Sequence, residues 1–289
     1  VDATPGTGDL YYQGSWHTWL AGGLGDGGNA GGVIGDNTTV ATGGLYVLDV
    51  TNPGNFSEAN AASLVIGDWT STSASLTCPT DTASTFCRDN LGSTYGTPII
   101  RRLHDGNWAV IFGNGLNSKS GKAGVFVMTV DQTTGAKSFR YLDTGVGTAT
   151  ARNGIAYVAS ADLDGDHVTD YLYAGDVLGN MWRFDVTGAT GSSWSARSTP
   201  IFNTGGLPIT TRATVNTAAT SSGTARVIVG FGTGQIFPQT QTAAATPVSG
   251  TQYIFGIWDW DMASWNSLSG VQYSSLASPQ TVNATVLQT

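Results

Sequence analysis

Short apolar runs, separated by Thr-, Ser- and Asn-rich stretches, recur along the chain. One family of runs drives an apolar strand into glycine: Thr18–Gly22, Ala109–Gly113, Tyr171–Gly175 and Val227–Gly232. A second has the pattern of Leu45–Val50, echoed by Val125–Val130, Met181–Val186 and, less closely, Tyr253–Ile257. A third set precedes these and predicts an opening strand in each unit: Asp2–Pro5, Tyr95–Ile100, Arg152–Ile155 and Ile209–Ala213. Runs this short, rich in Val, Ile and aromatics and bounded by turn residues, read as β-strands. Gly113, Gly175 and Gly232 lie 62 and 57 residues apart, whereas Gly22 precedes Gly113 by 91. The first unit therefore carries an insertion of about 30 residues beyond the regular repeat.

Repeats of this length with three or four strands each predict an all-β fold, a β-propeller. A lone four-stranded sheet cannot bury both faces, and stacking blades about an axis does so. Four blades are countable, at about 1–70, 95–145, 153–203 and 209–262, with 71–94 as an inserted loop. Trp19, Phe112, Tyr173 and Phe231 occupy matching strand positions and are expected to pack between blades. Propellers usually have four to eight blades. The chain is thus expected to be part of a larger modified propeller, a closed four-blade ring being the alternative. No signal peptide or initiating Met stands at Val1, so a mature chain or excised fragment is expected.

Composition narrows the function classes. Charged residues make up 11% of the 289, and the net charge is −8 with twelve Lys and Arg. Nucleic-acid binding needs a basic footprint, which this chain lacks. No apolar stretch approaches the 18 residues of a membrane-spanning helix. The two cysteines, Cys78 and Cys87, flank a Thr/Ser-rich segment. A disulfide between them is expected, and with it an oxidising compartment.

The strongest chemical signal is Asp162-Leu163-Asp164-Gly165-Asp166-His167-Val168-Thr169-Asp170, four carboxylates within nine residues. Without a cation among them they would repel one another. Calcium, with six to eight oxygen ligands and tolerance of irregular geometry, is the natural occupant. Asp162, Asp164 and Asp166 alternate so that each can present an oxygen, the Val168 carbonyl falls at the seventh position, and Asp170 can close the shell. The flanks, Gly154–Ala159 and Asp170–Gly175, read as strands, so the loop joins a hairpin and is no EF-hand. His167 stands where helix-flanked calcium loops carry an invariant glycine.

Other motifs carry less. Gly23–Gly28 matches GxGxxG, but a dinucleotide site needs a helix next, and Asn29–Gly35 cannot form one. His17, His104 and His167 show no ligand spacing. Asp49 and Asp185 end related strands and are expected to bond turn backbone, and no catalytic constellation emerges.

Three groups of segments together carry a resemblance: the 162–170 loop with Tyr173–Asp185; Tyr95–Leu103 with Trp108–Gly115; and Trp16–Leu24 with Leu45–Pro53. Over about residues 1–262 the chain resembles the C-terminal propeller of the PilY/PilC-type type IV pilus tip-associated adhesins. The resemblance implies one calcium in a strand-to-strand loop, held by Asp162, Asp164, Asp166, the Val168 carbonyl and Asp170. It also implies export through the periplasm to the bacterial surface, outer membrane or pilus tip. The role it implies is non-enzymatic, in pilus extension and retraction, twitching motility and adhesion. The expected partners are pilus components such as minor pilins, or a surface receptor. Two alternatives also fit a propeller: a periplasmic quinoprotein enzyme, and an integrin-α-like calcium propeller, which carries such loops in several blades where this chain has one.

Overall fold

Period-2 alternation within each strand determines how this chain folds. A computed structural model describes residues 3–28, 40–219, 225–237, 244–260, 262 and 282–283. Asp2, the segment Asn29–Gly35 and most of the tail from Ala263 lie outside the described residues. Strands β1 (Gly6–Tyr12), β2 (Ser15–Gly23), β3 (Gly44–Asp49) and β4 (Val65–Thr70) form an antiparallel sheet in chain order. Strands β5 (Ile99–Arg102), β6 (Trp108–Gly113), β7 (Gly124–Val130) and β8 (Lys137–Asp143) form the second in the same way.

The third sheet contains β9 (Ala159–Ala161), β10 (Tyr171–Gly175) and β11 (Asn180–Asp185). The short strands β12 (Ser195–Ala196) and β13 (Phe202–Asn203) both pair with β11. The fourth sheet has β14 (Thr214–Ala219), β15 (Ala225–Gly232) and β18 (Ile254–Trp258). A small ribbon, β16 (Ile236–Phe237) with β17 (Thr246–Pro247), interrupts the fourth sheet in sequence, and β19 (Val282–Asn283) runs parallel to β13. Helical segments among the described residues are four residues or fewer.

In β6, β7, β10 and β11 alternation distributes the side chains to two different cores. In β6, Val110 and Phe112 face the first sheet, whereas Ala109 and Ile111 face the third. In β7, Phe126 and Met128 take the first side, Val125 and Val127 the other. Leu172 and Trp182 join the core between sheets two and three; Tyr173 and Met181 join the core between three and four. The four sheets therefore stack as blades. Trp19 and Phe112 share one interblade core, Tyr173 and Phe231 another, as expected from their matching positions.

One opening signature runs into a strand: Ile99 and Ile100 of Tyr95–Ile100 begin β5. The described residues of the other three lie just before the first strand of their unit, which begins at Gly6, Ala159 and Thr214. Those ahead of blades three and four are crossings from one blade to the next. Ile155 bridges both Gly115 in blade two and Asp176 in blade three, and Ile209 bridges Gly234. The strand expected over Gly154–Ala159 is accordingly reduced to β9, because a residue bridging two blades cannot continue one ladder. The strand-ending glycines make room for these crossings. A Cβ at Gly113 would overlap the Ile155 carbonyl oxygen, and one at Gly175 would overlap the Ile209 side chain.

The 71–94 insertion is more than a polar loop. Leu76 and Leu91 are wholly buried in the core between blades one and two, together with Cys78 and Cys87. Those cysteines are disulfide-bonded, with Cα atoms 5.9 Å apart. Asp81 braces the bridge by accepting from the backbone N–H of Cys78 (3.1 Å) and Cys87 (2.6 Å).

Candidate metal centre

The aspartate loop connects β9 and β10, the first two strands of blade three, which pair in antiparallel register from Ala161–Tyr171 inward. It turns tightly because its own carboxylates accept from its own backbone. Asp162 accepts from Gly165 N–H (2.7 Å, Oδ1) and His167 N–H (2.9 Å, Oδ2). Asp164 accepts from Asp166 N–H (3.2 Å), and Asp166 accepts from Val168 N–H (2.8 Å). Gly165 and His167 both take left-handed backbone, with φ of 81° and 68°.

The result is convergence. Asp162, Asp164 and Asp166 are exposed, and one oxygen from each lies within 4.8 Å of the others. Oxygens about 2.3–2.6 Å from a calcium ion can stand at most about 5 Å apart across it, so this trio fits that ion. Each carboxylate has about four acceptor positions, and the turn uses only one or two. Val168 is half-buried.

Asp170 is different. It is 2% exposed and stands outside the converging trio. Its Oδ2 accepts from Leu163 N–H (2.8 Å), and its Oδ1 lies 3.0 Å from His104 Nε2. A carboxylate only accepts, so Nε2 carries the proton of that contact. His104 belongs to the β5–β6 turn of blade two. The same turn region also takes Thr169 N–H onto the Arg102 carbonyl (2.9 Å). The loop is thus anchored across a blade boundary.

Other polar groups answer structural needs. Asp176, fully buried, accepts from Asn153 Nδ2 (2.8 Å), Leu178 N–H (3.0 Å), Asn180 N–H (2.8 Å) and Trp182 Nε1 (2.9 Å). These donors satisfy its carboxylate, and it locks Trp182 into the core. The sequence reading gave Asp176 no role; an Asp right after the strand-ending glycine, with Asn and Trp four and six residues on, was the available signal. Tyr173 donates to Asp259 (2.8 Å), which also pairs with Arg183 (2.7 Å), joining blades three and four. Burial and the neighbouring Asp259 charge push the Tyr173 phenol well up.

Asp185 bonds turn backbone, accepting from Thr187 N–H at 2.9 Å. Asp49 does the same with Thr51 N–H (2.9 Å) and also contacts His17 Nδ1 (3.1 Å), while His17 Nε2 meets Ser15 Oγ (2.9 Å). That order is the order of a nucleophilic triad. Ser15, however, lies exposed at a hairpin tip, where water competes for every charge such chemistry must stabilise. The chain of contacts pins β2 to β3. Burial acts to raise the Asp49 pKa, but the bonds from Thr51 and His17 outweigh it and leave the carboxyl below its usual range. The Gly23–Gly28 run leaves the end of β2 at Gly23 and becomes a loop: Gly25 bridges Thr94, and Asp26–Gly28 is a single 3-10 turn.

Stacked antiparallel sheets sharing interblade cores, with a carboxylate loop in one blade, define a β-propeller. The chain belongs to the PilY1 beta-propeller domain family, whose model matches residues 1–272. It is 30% identical over 285 residues to type IV pilus biogenesis factor PilY1 of Pseudomonas aeruginosa PAO1, covering 90% of this chain and 20% of that protein. A PilY1 homologue of Xylella fastidiosa is 32% identical over 200 residues, covering 67% of this chain and 11% of that protein. The crystal structure of the Pseudomonas aeruginosa PilY1 C-terminal domain superposes with a TM-score of 0.66 at 28% identity. That match covers 91% of this chain and 49% of the solved one. The chain thus spans a fifth or less of the length of these curated relatives.

Proposed function

We propose that this propeller is a calcium-binding, non-enzymatic module that supports type IV pilus biogenesis at the bacterial surface. Membership of the PilY1 propeller family supports the pilus setting over the quinoprotein and integrin-α-like alternatives. The observation that carries the calcium reading is the convergence of Asp162, Asp164 and Asp166 on one point. The Val168 carbonyl and Asp170 complete the ligand set. In this reading the metal orders a surface loop on the propeller rim, and that order conditions contact with pilus components such as minor pilins. Extension and retraction, twitching and adhesion are the processes it would serve.

A ligand that binds only the folded loop stabilises the fold by RT ln(1 + [L]/Kd), about 2.7 kcal/mol at a hundredfold excess over Kd. The wild-type protein is therefore expected to melt several degrees higher in calcium than in EDTA. Asp164→Ala, at an exposed position, is expected to fold normally and lose that increment. Calorimetric titration showing no calcium uptake by the wild type would overturn the assignment.

A further inference from the structure

We infer that His104, from blade two, is the positioning residue that fixes Asp170 for cation binding, so that calcium affinity in blade three is controlled from its neighbour. The inference rests on the calcium reading above. The loop has two kinds of carboxylate. Asp162, Asp164 and Asp166 are exposed and, among the described residues, bonded within their own turn, whereas Asp170 is buried and also held from blade two. For a full shell, the exposed trio must close over the buried anchor, and the anchor must already point the right way.

Two contacts aim Asp170. One is local, from Leu163 N–H. The other crosses the blade boundary, from His104 Nε2 at 3.0 Å, with the His104 side chain 25% exposed against 3% for that of Asp170. Groups that hydrogen-bond a ligating side chain set its direction, and their loss commonly costs 10–100-fold in metal affinity. The adjoining backbone bond from Thr169 to Arg102 keeps the two turns in register when the side-chain contact is removed.

The test is calcium titration calorimetry, with melting in EDTA and in saturating calcium, on the wild type, His104→Ala and His104→Gln. A Gln amide can donate from nearly the place of Nε2. The expected result is calcium affinity about 10–100-fold lower in His104→Ala and largely recovered in His104→Gln. A purely structural role would lower the melting temperature equally in EDTA and calcium while leaving affinity within about twofold, and that result would sink the inference. Tighter binding in His104→Ala would sink it too, since His104 would then be competing for Asp170. If His104→Ala does not fold, His104→Leu, which fills the space without a donor, takes its place beside His104→Gln: loss of affinity in Leu with recovery in Gln supports positioning, and equal affinity in the two refutes it. A wild type that takes up no calcium overturns the site itself, whereas uptake unaffected at His104 overturns only this coupling.

Discussion

His167 occupies a position whose backbone is built for glycine. Its φ of 68° puts the Cβ against the following carbonyl, at a cost of roughly 1–2 kcal/mol that glycine avoids. Histidine is among the side chains that tolerate this region better, which lets the turn form. Glycine would relieve the strain but give the unfolded chain more freedom, offsetting about 0.4–1 kcal/mol. The balance favours His167→Gly by about 0.5–1 kcal/mol, read as a higher denaturation midpoint in EDTA. His167→Val, β-branched at positive φ, is expected to lower that midpoint. Equal midpoints across the three would show that the turn carries no such strain. The aspartates themselves were legible in the sequence because their spacing is local. His104 was not, because it meets Asp170 from 66 residues away, through the packing of two blades.

At the level of elements, the strand-ending glycines explain why the repeat can be read at all. Apolar alternation marks β6 and β10 because each feeds two cores, and Gly113 and Gly175 recur because the next unit's crossing lies against them. The opening signatures of blades three and four recur for that complementary reason: Ile155 and Ile209 suit a strand but run between sheets, whereas Tyr95–Ile100 does open a strand, with Ile99 and Ile100 in the β5 ladder. Gly113→Ala should therefore force apart the junction of blades two and three, costing about 1–3 kcal/mol as overpacking does. Gly256, within β18, is a control: a Cβ there meets nothing within 4 Å and its φ is not left-handed. Gly256→Ala is expected to be neutral or to stabilise by up to about 1 kcal/mol. Denaturant melts of the two variants give the comparison, and similar midpoints would contradict this account of the glycines.

Across the whole molecule, stability is distributed over successive interblade cores, so a local change should be felt mainly at its own junction. The 71–94 insertion tests this. Its polar composition suggested a surface loop, yet Leu76, Leu91 and the bridged cysteines fill the core between blades one and two. Two leucines in a Thr/Ser-rich stretch gave no periodicity from which to foresee that wedge. Closing a loop of about ten residues, the disulfide removes unfolded-state entropy equivalent to about 3 kcal/mol. The Cys78→Ser/Cys87→Ser double variant is therefore expected to melt several degrees lower. The aspartate loop sits in blade three, on the far side of the core that joins Phe126 to Tyr12 and Trp19. Its calcium-induced rise in melting temperature should survive in the double variant at the same half-saturating concentration. A loss of that increment together with the disulfide would mean that the blades fold as one cooperative unit from the first core to the metal loop.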